Sequence, residues 1–244
     1  MVYLTGDPHG RWDEVLSIAP LLQPGDKLIL GGDNNYGMTP GQEKIFDQME
    51  RELPIEILLL DGNHENFDAL NALPVETWCG GKVHRIRKNI VHLMRGEIFT
   101  IEGHTIFAFG GGHSPDKARQ QALGHWWPQE LPSEEEYRSA EANLRALREQ
   151  NRPLDFIVTH IAPSAALEYL SIVKRDIRNE VSEDWDLVDF LNRISYEWKT
   201  TKKWYFGHYH VDAALFGSYF ALLHAVRELE SGRIVGWKSQ PIDP

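Results

Sequence analysis

The hydrophobic positions of this chain cluster into short runs that are bounded by glycine and polar turn residues. Five of these runs, each followed closely by Asp, Asn or His, lie at residues 2–5, 27–30, 55–60, 155–158 and 204–206. A short apolar run between turn residues is typical of a strand that is buried in a parallel sheet. We therefore predict five such strands, each leading directly into a group of polar residues.

Helical patterns separate the first three runs. Residues 11–22 carry apolar side chains at i, i+3, i+4 and i+7, and residues 42–53 show a second amphipathic pattern that Pro54 ends. Alternating strands and helices over the first sixty residues or so indicate parallel βαβ units.

Beyond residue 89 the pattern changes to short strands with tight connections. Apolar runs at 90–94, 98–101 and 105–109 are joined by glycine-containing segments, which predicts antiparallel hairpins. Residues 114–132 follow as an irregular segment. We expect a functional loop there, because long loops inside compact domains are more often functional than idle.

The last part of the chain again predicts helices and hairpins. Residues 133–136 form a capping box that opens a helix, and a further helix is expected over residues 184–194. Hairpin signals lie at residues 217–218 and 231–232. The chain contains neither an internal repeat nor a linker-like tract, so we expect one domain over residues 1–244.

Composition places the chain among ordinary globular proteins, with 42% hydrophobic and 25% charged residues. The net charge is −11, from 25 basic and 36 acidic residues. Extended nucleic-acid binding needs clustered positive charge, so this balance speaks against it. A small phosphorylated substrate is compatible with the balance, because bound cations would invert the local sign.

Cysteine content and the start of the chain bear on the expected location. The single cysteine, Cys79, allows no intramolecular disulfide, which fits a reducing compartment. A strand from residue 2 and a candidate ligand at Asp7 leave no room for a signal peptide. No stretch reaches the roughly 18 apolar residues of a membrane helix. We expect a cytoplasmic protein without a membrane partner, and the sequence does not indicate its oligomeric state.

The polar groups after the five runs are rich in side chains that bind metal ions. Ligands of open α/β sheets gather outside the carboxyl ends of the strands. We therefore expect one site that unites residues from distant parts of the chain, namely Asp7, His9, Asp33, Asn63, His160, His208 and His210. Carboxylates and imidazoles together suit first-row divalent metals.

The spacing within these groups suggests a role for each residue. Residues 7–9 and 207–210 each place two ligand-type side chains at i and i+2, where both can face one ion. Asp33 follows two glycines, which allow a close approach of the backbone, and can bridge two ions with its two oxygens. Asn63 offers a neutral amide oxygen to a metal, while His64 can face a substrate.

With these motifs the chain resembles the calcineurin-like metallophosphoesterases. The resemblance spans residues 2–210 and is carried by Asp7 with His9, Gly32-Asp33, Gly62-Asn63-His64-Glu65, His160 and Gly207-His208-Tyr209-His210. Residues 110–113 and 126–130 are also similar to a bacterial and phage subset of uncharacterised members. The resemblance implies an α/β fold with two mixed sheets in a β-sandwich flanked by helices, in four αββα layers, as a single metallophosphoesterase domain.

The resemblance also implies a role for each matching residue. One metal would be held by Asp7, His9, Asp33 and His210. The second metal would be held by Asp33, Asn63, His160 and His208. Two ions about 3.5–4 Å apart would activate a bridging hydroxide for attack on phosphorus. His64 would then protonate the leaving group as a general acid. Mn²⁺ is the expected metal, with Fe, Zn²⁺ or Ni²⁺ as alternatives for the same mixed nitrogen and oxygen ligands.

One motif departs from the protein serine/threonine phosphatases of this superfamily. Those enzymes carry Gly-Asp-x-x-Asp-Arg-Gly at the second motif, whereas this chain has Tyr36 and Gly37 in place of the second Asp and the Arg. The departure speaks against a dedicated phosphoprotein phosphatase. Another group must then orient His64, or none does.

Positive charge for the substrate has to come from elsewhere in the chain. The candidates for substrate contact are Arg11, His113, Lys117 and Arg119. Arginine suits phosphate especially well, because its donors form a planar fork.

The expected function is a metal-dependent phosphatase that acts on small phosphorylated substrates. The first alternative is a phosphodiesterase or nuclease that acts on nucleotides or nucleic acid, although the acidic charge weighs against a long nucleic acid. The second alternative is a non-catalytic scaffold of the same fold. A scaffold could lose metal ligands freely, whereas this chain carries all seven together with His64.

Overall fold

The computed structural model describes residues 1–174 and 185–238. The strands in this part of the chain are β1 (Val2–Thr5), β2 (Lys27–Leu30), β3 (Glu56–Leu59), β4 (Val75–Trp78), β5 (Gly81–Arg87), β6 (Ile90–Leu93), β7 (Glu97–Ile101), β8 (His104–Phe109), β9 (Phe156–Thr159), β10 (Lys203–Phe206), β11 (Ala213–Leu215), β12 (Tyr219–Ala221), β13 (Ala225–Glu228) and β14 (Ile234–Trp237). The α-helices are α1 (Trp12–Ile18), α2 (Gln42–Glu52), α3 (Phe67–Asn71), α4 (Lys117–Leu123), α5 (Glu134–Glu149), α6 (Ser164–Val173) and α7 (Trp185–Glu197).

The strands form two mixed sheets. The eight-stranded sheet has the order β14-β13-β1-β2-β3-β6-β5-β4, and its four central strands β1, β2, β3 and β6 are parallel. The six-stranded sheet has the order β11-β12-β10-β9-β8-β7, with β12, β10, β9 and β8 parallel. All five predicted strands lie among these parallel strands.

Three apolar clusters hold the sheets and helices together. Side chains alternate along each strand, so a strand buried on both faces is apolar throughout. In β2, for example, Leu28 and Leu30 pack towards α1, α2 and α3, whereas Ile29 packs between the two sheets. A third cluster joins the outer face of the six-stranded sheet to α5, α6 and α7. This arrangement confirms an α/β fold with two mixed sheets flanked by helices.

Most of the predicted helices are confirmed with shifted ends. The first helix is α1, which continues as a 3-10 turn over Ala19–Leu21, and the second is α2. The capping box is also confirmed, because Ser133 accepts a hydrogen bond from the Glu136 backbone and Glu136 accepts one from the Ser133 backbone. The helix predicted over residues 184–194 corresponds to α7, although residue 184 itself lies outside the described residues.

The hairpin prediction after residue 89 is only half right. Strands β7 and β8 form an antiparallel hairpin, as expected. The run at 90–94 instead forms β6, which pairs with β3 and β5 in the other sheet, so the short connection at Arg95-Gly96 crosses between the sheets. Strands of both sheets are buried on both faces, and their patterns therefore do not tell which sheet each one joins.

Two further features differ from the sequence prediction. The hairpin of β4 and β5 was not predicted, because most of β4 is exposed and lacks an apolar pattern. The segment 114–132 is not wholly irregular, since it contains α4 and a 3-10 turn over Pro128–Glu130. No side chain of α4 is buried, so no apolar stripe marks this helix in the sequence.

The two hairpins predicted near the end are confirmed as β11–β12 and β13–β14. Within residues 1–174 and 185–238, no helix combines the length and the apolar character that a membrane span requires.

Candidate metal centre

The carboxyl ends of the parallel strands meet at one edge of the molecule. In the eight-stranded sheet, Thr5 is the register partner of Leu30, and Leu30 is the register partner of Leu59. In the six-stranded sheet Phe206 is level with Thr159. Each of these strands leads into one or two of the predicted ligands. The structure thus brings all seven together, and it draws them from both sheets rather than from one.

Four of the ligands form a group that is partly open to solvent. Asp7, His9, Asp33 and His210 each offer a ligand atom, and these atoms all lie within 4.8 Å of one another. The Nε2 atoms of His9 and His210 are 2.9 Å apart, and each lies 3.9 Å from a carboxylate oxygen of an aspartate in the group. Asp7 and Asp33 are buried, whereas His9 is half-buried and His210 is exposed.

The other group is fully buried and shares Asp33. Asp33, His160 and His208 place their ligand atoms within 4.8 Å of one another. The Asn63 Oδ1 atom lies 3.1 Å from His160 Nε2 and 3.0 Å from His208 Nδ1. These two groups coincide with the two metal shells that the family resemblance implied.

The donor atoms suit a bound cation. His160 Nδ1 is 2.8 Å from the Gly31 carbonyl, which only accepts hydrogen bonds, so Nδ1 carries a proton. Its Nε2 atom faces the Asp33 and Asn63 oxygens at 3.3 and 3.1 Å. This nitrogen must therefore either carry a second proton, as an imidazolium beside Asp33, or bind a metal ion together with these oxygens. Asp7 Oδ1 and His208 Nε2 are buried without a hydrogen bond among the described residues.

Burial and mutual charge set the protonation of the cluster. Burial lowers the pKa of His9 to about 4 and the pKa of His208 well below its usual value, which keeps both imidazoles neutral and able to bind a metal. Burial alone would lower the pKa of His160, but the Asp33 charge raises it to about 10. Burial would likewise raise the pKa of Asp33, but His160 holds it well below its usual range. Asp33 therefore remains an anion at the shared position.

Four of the candidate ligands adopt a backbone conformation that side-chain-bearing residues rarely occupy. His9, Asp33, His208 and His210 have φ values of 47°, 49°, 64° and 47°. Such left-handed conformations are sparsely populated in non-glycine residues, persist only where the surrounding structure enforces them, and cluster at functional sites. The strained turns aim these side chains at a common centre.

Two glycines make room for the shared aspartate and its neighbour. A Cβ atom at Gly32, which has a φ of 113°, would overlap the His160 ring. A Cβ atom at Gly62 would overlap the Asp33 carboxylate. The close backbone approach predicted for the glycine before Asp33 is therefore confirmed, and a second such approach occurs in the Gly62-Asn63 motif.

The orientation of Asn63 depends on two residues that sequence analysis missed. Asn63 Nδ2 donates to Ser114 Oγ at 3.2 Å, and Ser114 Oγ donates to Glu130 Oε2 at 2.5 Å. Both supporting residues are 1% exposed. Because the amide nitrogen is held in this way, the Asn63 oxygen faces His160 and His208. The segment 114–132 thus supports the buried ligand group through Ser114 and Glu130.

We expect Ser114→Ala to weaken metal binding at the buried group by roughly 10- to 100-fold, the usual cost of losing a hydrogen bond that orients a ligand. The partly open group does not contain Asn63 and should keep its affinity. Titration of the metal-free protein with Mn²⁺ in a calorimeter would resolve the two sites. Ser171→Ala, which removes an exposed hydroxyl on α6, is the matched control. Equal weakening of both sites would contradict the role of Ser114.

Glu65 and Tyr36 are buried and contact neighbouring structural residues. The Glu65 carboxylate accepts hydrogen bonds from the backbone N–H groups of Asn34 and Tyr36 at 2.8 and 2.7 Å. These bonds link the turn after β2 to the turn after β3. Burial raises the pKa of Glu65 to about 8. The Tyr36 ring is buried and stacks on Phe46 with ring centroids 6.2 Å apart.

His64 lies beside the partly open group. Its ring centroid is 5.9 Å from that of His9, and its backbone N–H donates to Asp33 Oδ1 at 2.9 Å. The side chain is 16% exposed, and its Nε2 atom lies 4.0 Å from Asp116 Oδ1. Asp116 was not among the predicted site residues.

The predicted substrate contacts are less closely tied to the centre. Arg11 pairs with Glu14 at 3.0 Å and donates to the Pro8 carbonyl. The Lys117 ammonium lies over the Trp126 ring, 4.4 Å from its centroid. Arg119 is exposed, and His113 is half-buried between the glycine run and Ser114. The structure thus gives no contact that brings Lys117 or Arg119 to the seven ligands within the described part of the chain.

A buried ion pair supports the turn that contains Asp7, and the sequence did not predict it. Lys238 Nζ donates to the carbonyls of Gly6 and Asp7 at 3.1 and 3.2 Å and lies 3.9 Å from Glu14 Oε2. Burial lowers the pKa of Lys238 to about 8. This lysine directly follows β14, near the other end of the sequence, and holds the backbone of the Asp7 turn in place.

A second buried ion pair supports the turn that follows β3. Arg95 Nε donates to Asp61 Oδ2 at 2.7 Å, and Arg95 also donates to the backbone carbonyl of Gln129 at 2.9 Å. The pair therefore links the end of β3 to the segment that carries Glu130. Burial alone would raise the pKa of Asp61, but Arg95 and His92 hold it below its usual range.

Comparison with known proteins adds no family assignment. A scan against protein-family models finds no match for the chain, and a search of curated proteins finds no similar sequence.

Proposed function

We propose that the chain is a dinuclear metal-dependent phosphoester hydrolase with the metallophosphoesterase fold that the family resemblance implies. One observation carries the proposal: seven nitrogen and oxygen ligands from two sheets converge into two groups that share Asp33. The mixed donors suit Mn²⁺, with Fe, Zn²⁺ or Ni²⁺ as alternatives. When bound, two such ions activate a water and neutralise charge on phosphoryl oxygens.

The residues of the chain divide the remaining tasks. Asp33 occupies the shared position as an anion, and the His64 backbone N–H donates to its carboxylate and orients it. The exposed side of the centre is lined by His9, His64 and His210, so a substrate would approach from there. His64 lies outside both ligand groups, which leaves its ring available to donate a proton to a leaving oxygen.

A small phosphorylated substrate is the proposed substrate class. The chain carries a net charge of −11, and of the candidate cations Arg11 pairs with Glu14 and Lys117 lies over the Trp126 ring. A long nucleic acid would need many phosphate contacts, whereas a single phosphoryl group needs only the two bound cations and one or two donors.

The test begins with protein that has been stripped of metal and reloaded with Mn²⁺. We expect about two ions per chain by elemental analysis, and metal-dependent turnover of nitrophenyl phosphate. Bis(nitrophenyl) phosphate is assayed in parallel, and faster turnover of this diester would support the phosphodiesterase alternative. Two bound ions with no turnover of any ester would indicate a scaffold instead.

A further inference from the structure

His64 has no carboxylate partner in the motif where the phosphoprotein phosphatases keep one. Tyr36 occupies that position, and its ring is buried against Phe46 while its backbone is bound to Glu65. Neither ring nitrogen of His64 makes a hydrogen bond to another described residue. A general acid whose ring has no hydrogen-bond partner is less firmly oriented towards the leaving group.

The carboxylate nearest to His64 belongs instead to the segment 114–132. Asp116 Oδ1 lies 4.0 Å from His64 Nε2. This oxygen is shielded from solvent and has no hydrogen bond among the described residues. A shielded carboxylate oxygen without a donor is costly, so a donor that can reach it is expected to bind there.

Asp116 is itself held firmly in place. Its Oδ2 atom accepts from Gln120 Nε2 at 2.7 Å, and its carbonyl accepts from the backbone of Arg119 and Gln120 at the start of α4. The neighbouring Lys117 backbone donates to the carbonyl of Ser114, the residue that also supports Asn63. Lys117 directs its ammonium group at Trp126 rather than at Asp116. One oxygen of Asp116 is therefore fixed, and the other remains directed towards His64.

We propose that Asp116 is the positioning residue of His64, and that it accepts a hydrogen bond from His64 Nε2. This proposal rests on the proposed function and names the group that replaces the missing carboxylate. Closing 4.0 Å to a hydrogen-bond distance requires a shift of about 1 Å, and such contacts commonly tighten when a substrate binds. With Nε2–H held by Asp116, His64 acts as an acid in its doubly protonated form, in which Nδ1 carries the second proton and donates it to the leaving oxygen.

The proposal predicts an effect that depends on the leaving group. Phenyl phosphate releases a weakly acidic phenol that needs a proton, whereas dinitrophenyl phosphate releases a phenolate that does not. We expect Asp116→Ala to lower kcat for phenyl phosphate by about 10- to 100-fold, part of the 10²–10⁴-fold that general acids contribute. Turnover of dinitrophenyl phosphate should change less than about twofold. Asp116→Asn keeps an acceptor oxygen and should restore part of the loss.

A double-variant cycle and a matched control complete the kinetic test. If Asp116 acts through His64, the loss in the Asp116→Ala, His64→Ala double variant should equal the loss in His64→Ala alone. Asp13→Asn, which changes an exposed carboxylate on α1, should have no effect on either ester. Metal content should match the wild type in every variant.

A second measurement does not depend on turnover. In metal-free protein, nitrogen NMR of the His64 ring should show the Nε2–H tautomer in the wild type and a mixture of tautomers in Asp116→Ala. Equal losses on both esters, additive losses in the double variant, or an unchanged tautomer would each overturn the role of Asp116. A wild-type protein that is inert on all esters would instead contradict the proposed function, and the NMR result would then decide the His64–Asp116 contact alone.

Discussion

Replacing Asp33 with Asn is expected to remove metal binding and hydrolysis together. Asp33 is the one residue that both ligand groups contain, and it is the buried anion that would compensate the charge of two bound cations. Asn has the same shape but no charge and only one oxygen that can bind a metal. We expect the loss of activity to exceed the roughly 100-fold that follows removal of a supporting hydrogen bond at a metal site. Elemental analysis after dialysis against Mn²⁺ would measure the metal directly.

The fold should survive this substitution. The partner of Asp33 in the metal-free protein is His160, whose pKa is raised chiefly by the Asp33 charge against the effect of burial. Without that charge, burial shifts His160 towards its neutral form, so the substitution does not leave this imidazolium buried without its main partner. The variant should therefore unfold cooperatively, while its melting temperature should no longer rise when Mn²⁺ is added, because a ligand stabilises only a protein that binds it.

The matched control makes the same chemical change at a different buried aspartate. Asp155 precedes β9, at the end of that strand opposite to His160, and bonds the Thr105 backbone and Lys202. Asp155→Asn should lower the melting temperature slightly and leave metal content and turnover unchanged. Two ions per chain and wild-type turnover in Asp33→Asn would disprove the bridging role.

The candidate ligands could be predicted from the sequence because each one follows an apolar run. A strand such as β2 is apolar from Leu28 to Leu30, and the polar residues that directly follow such a strand lie at the end of the sheet. The ends of five such strands identify Asp7, Asp33, Asn63, His160 and His208 as neighbours, and this prediction needs no knowledge of how the sheets pack. The chemistry of these side chains then predicts a metal site.

The supporting residues could not be predicted in the same way. Ser114 and Asp116 lie in a segment without a hydrophobic period, and α4 buries no side chain that would reveal it. Lys238 is distant in sequence from the turn that it holds, so only the pairing of β13 with β1 brings it near Asp7. Side-chain hydrogen bonds between distant segments leave no periodic signal, because they depend on the final position of single atoms.

The division of strands between the two sheets was also beyond the sequence. Runs such as 90–94 and 105–109 are similarly apolar, yet β6 and β8 belong to different sheets. The prediction of a hairpin through Arg95 failed for this reason. The crossing connection places Arg95 where it donates to both Asp61 and the carbonyl of Gln129.

Truncation of His64 is expected to separate catalysis from metal binding. Its imidazole belongs to neither ligand group, and its contact with Asp33 is made by the backbone N–H, which His64→Ala retains. We therefore expect two bound ions per chain and an unchanged response of the melting temperature to Mn²⁺. The turnover number for phenyl phosphate should fall by about 10²–10⁴-fold, the usual contribution of a general acid.

The kinetic constants distinguish an acid from a residue that only binds substrate. Proton donation to the leaving oxygen occurs in the transition state, so kcat and kcat/KM should fall together while KM stays nearly constant. A contact with a phosphoryl oxygen in the bound substrate would instead raise KM and leave kcat almost unchanged. His104→Ala is the control, because His104 begins β8 at the opposite end of the sheet and packs on Phe156. Loss of metal from His64→Ala would contradict the assignment and would place the imidazole among the ligands.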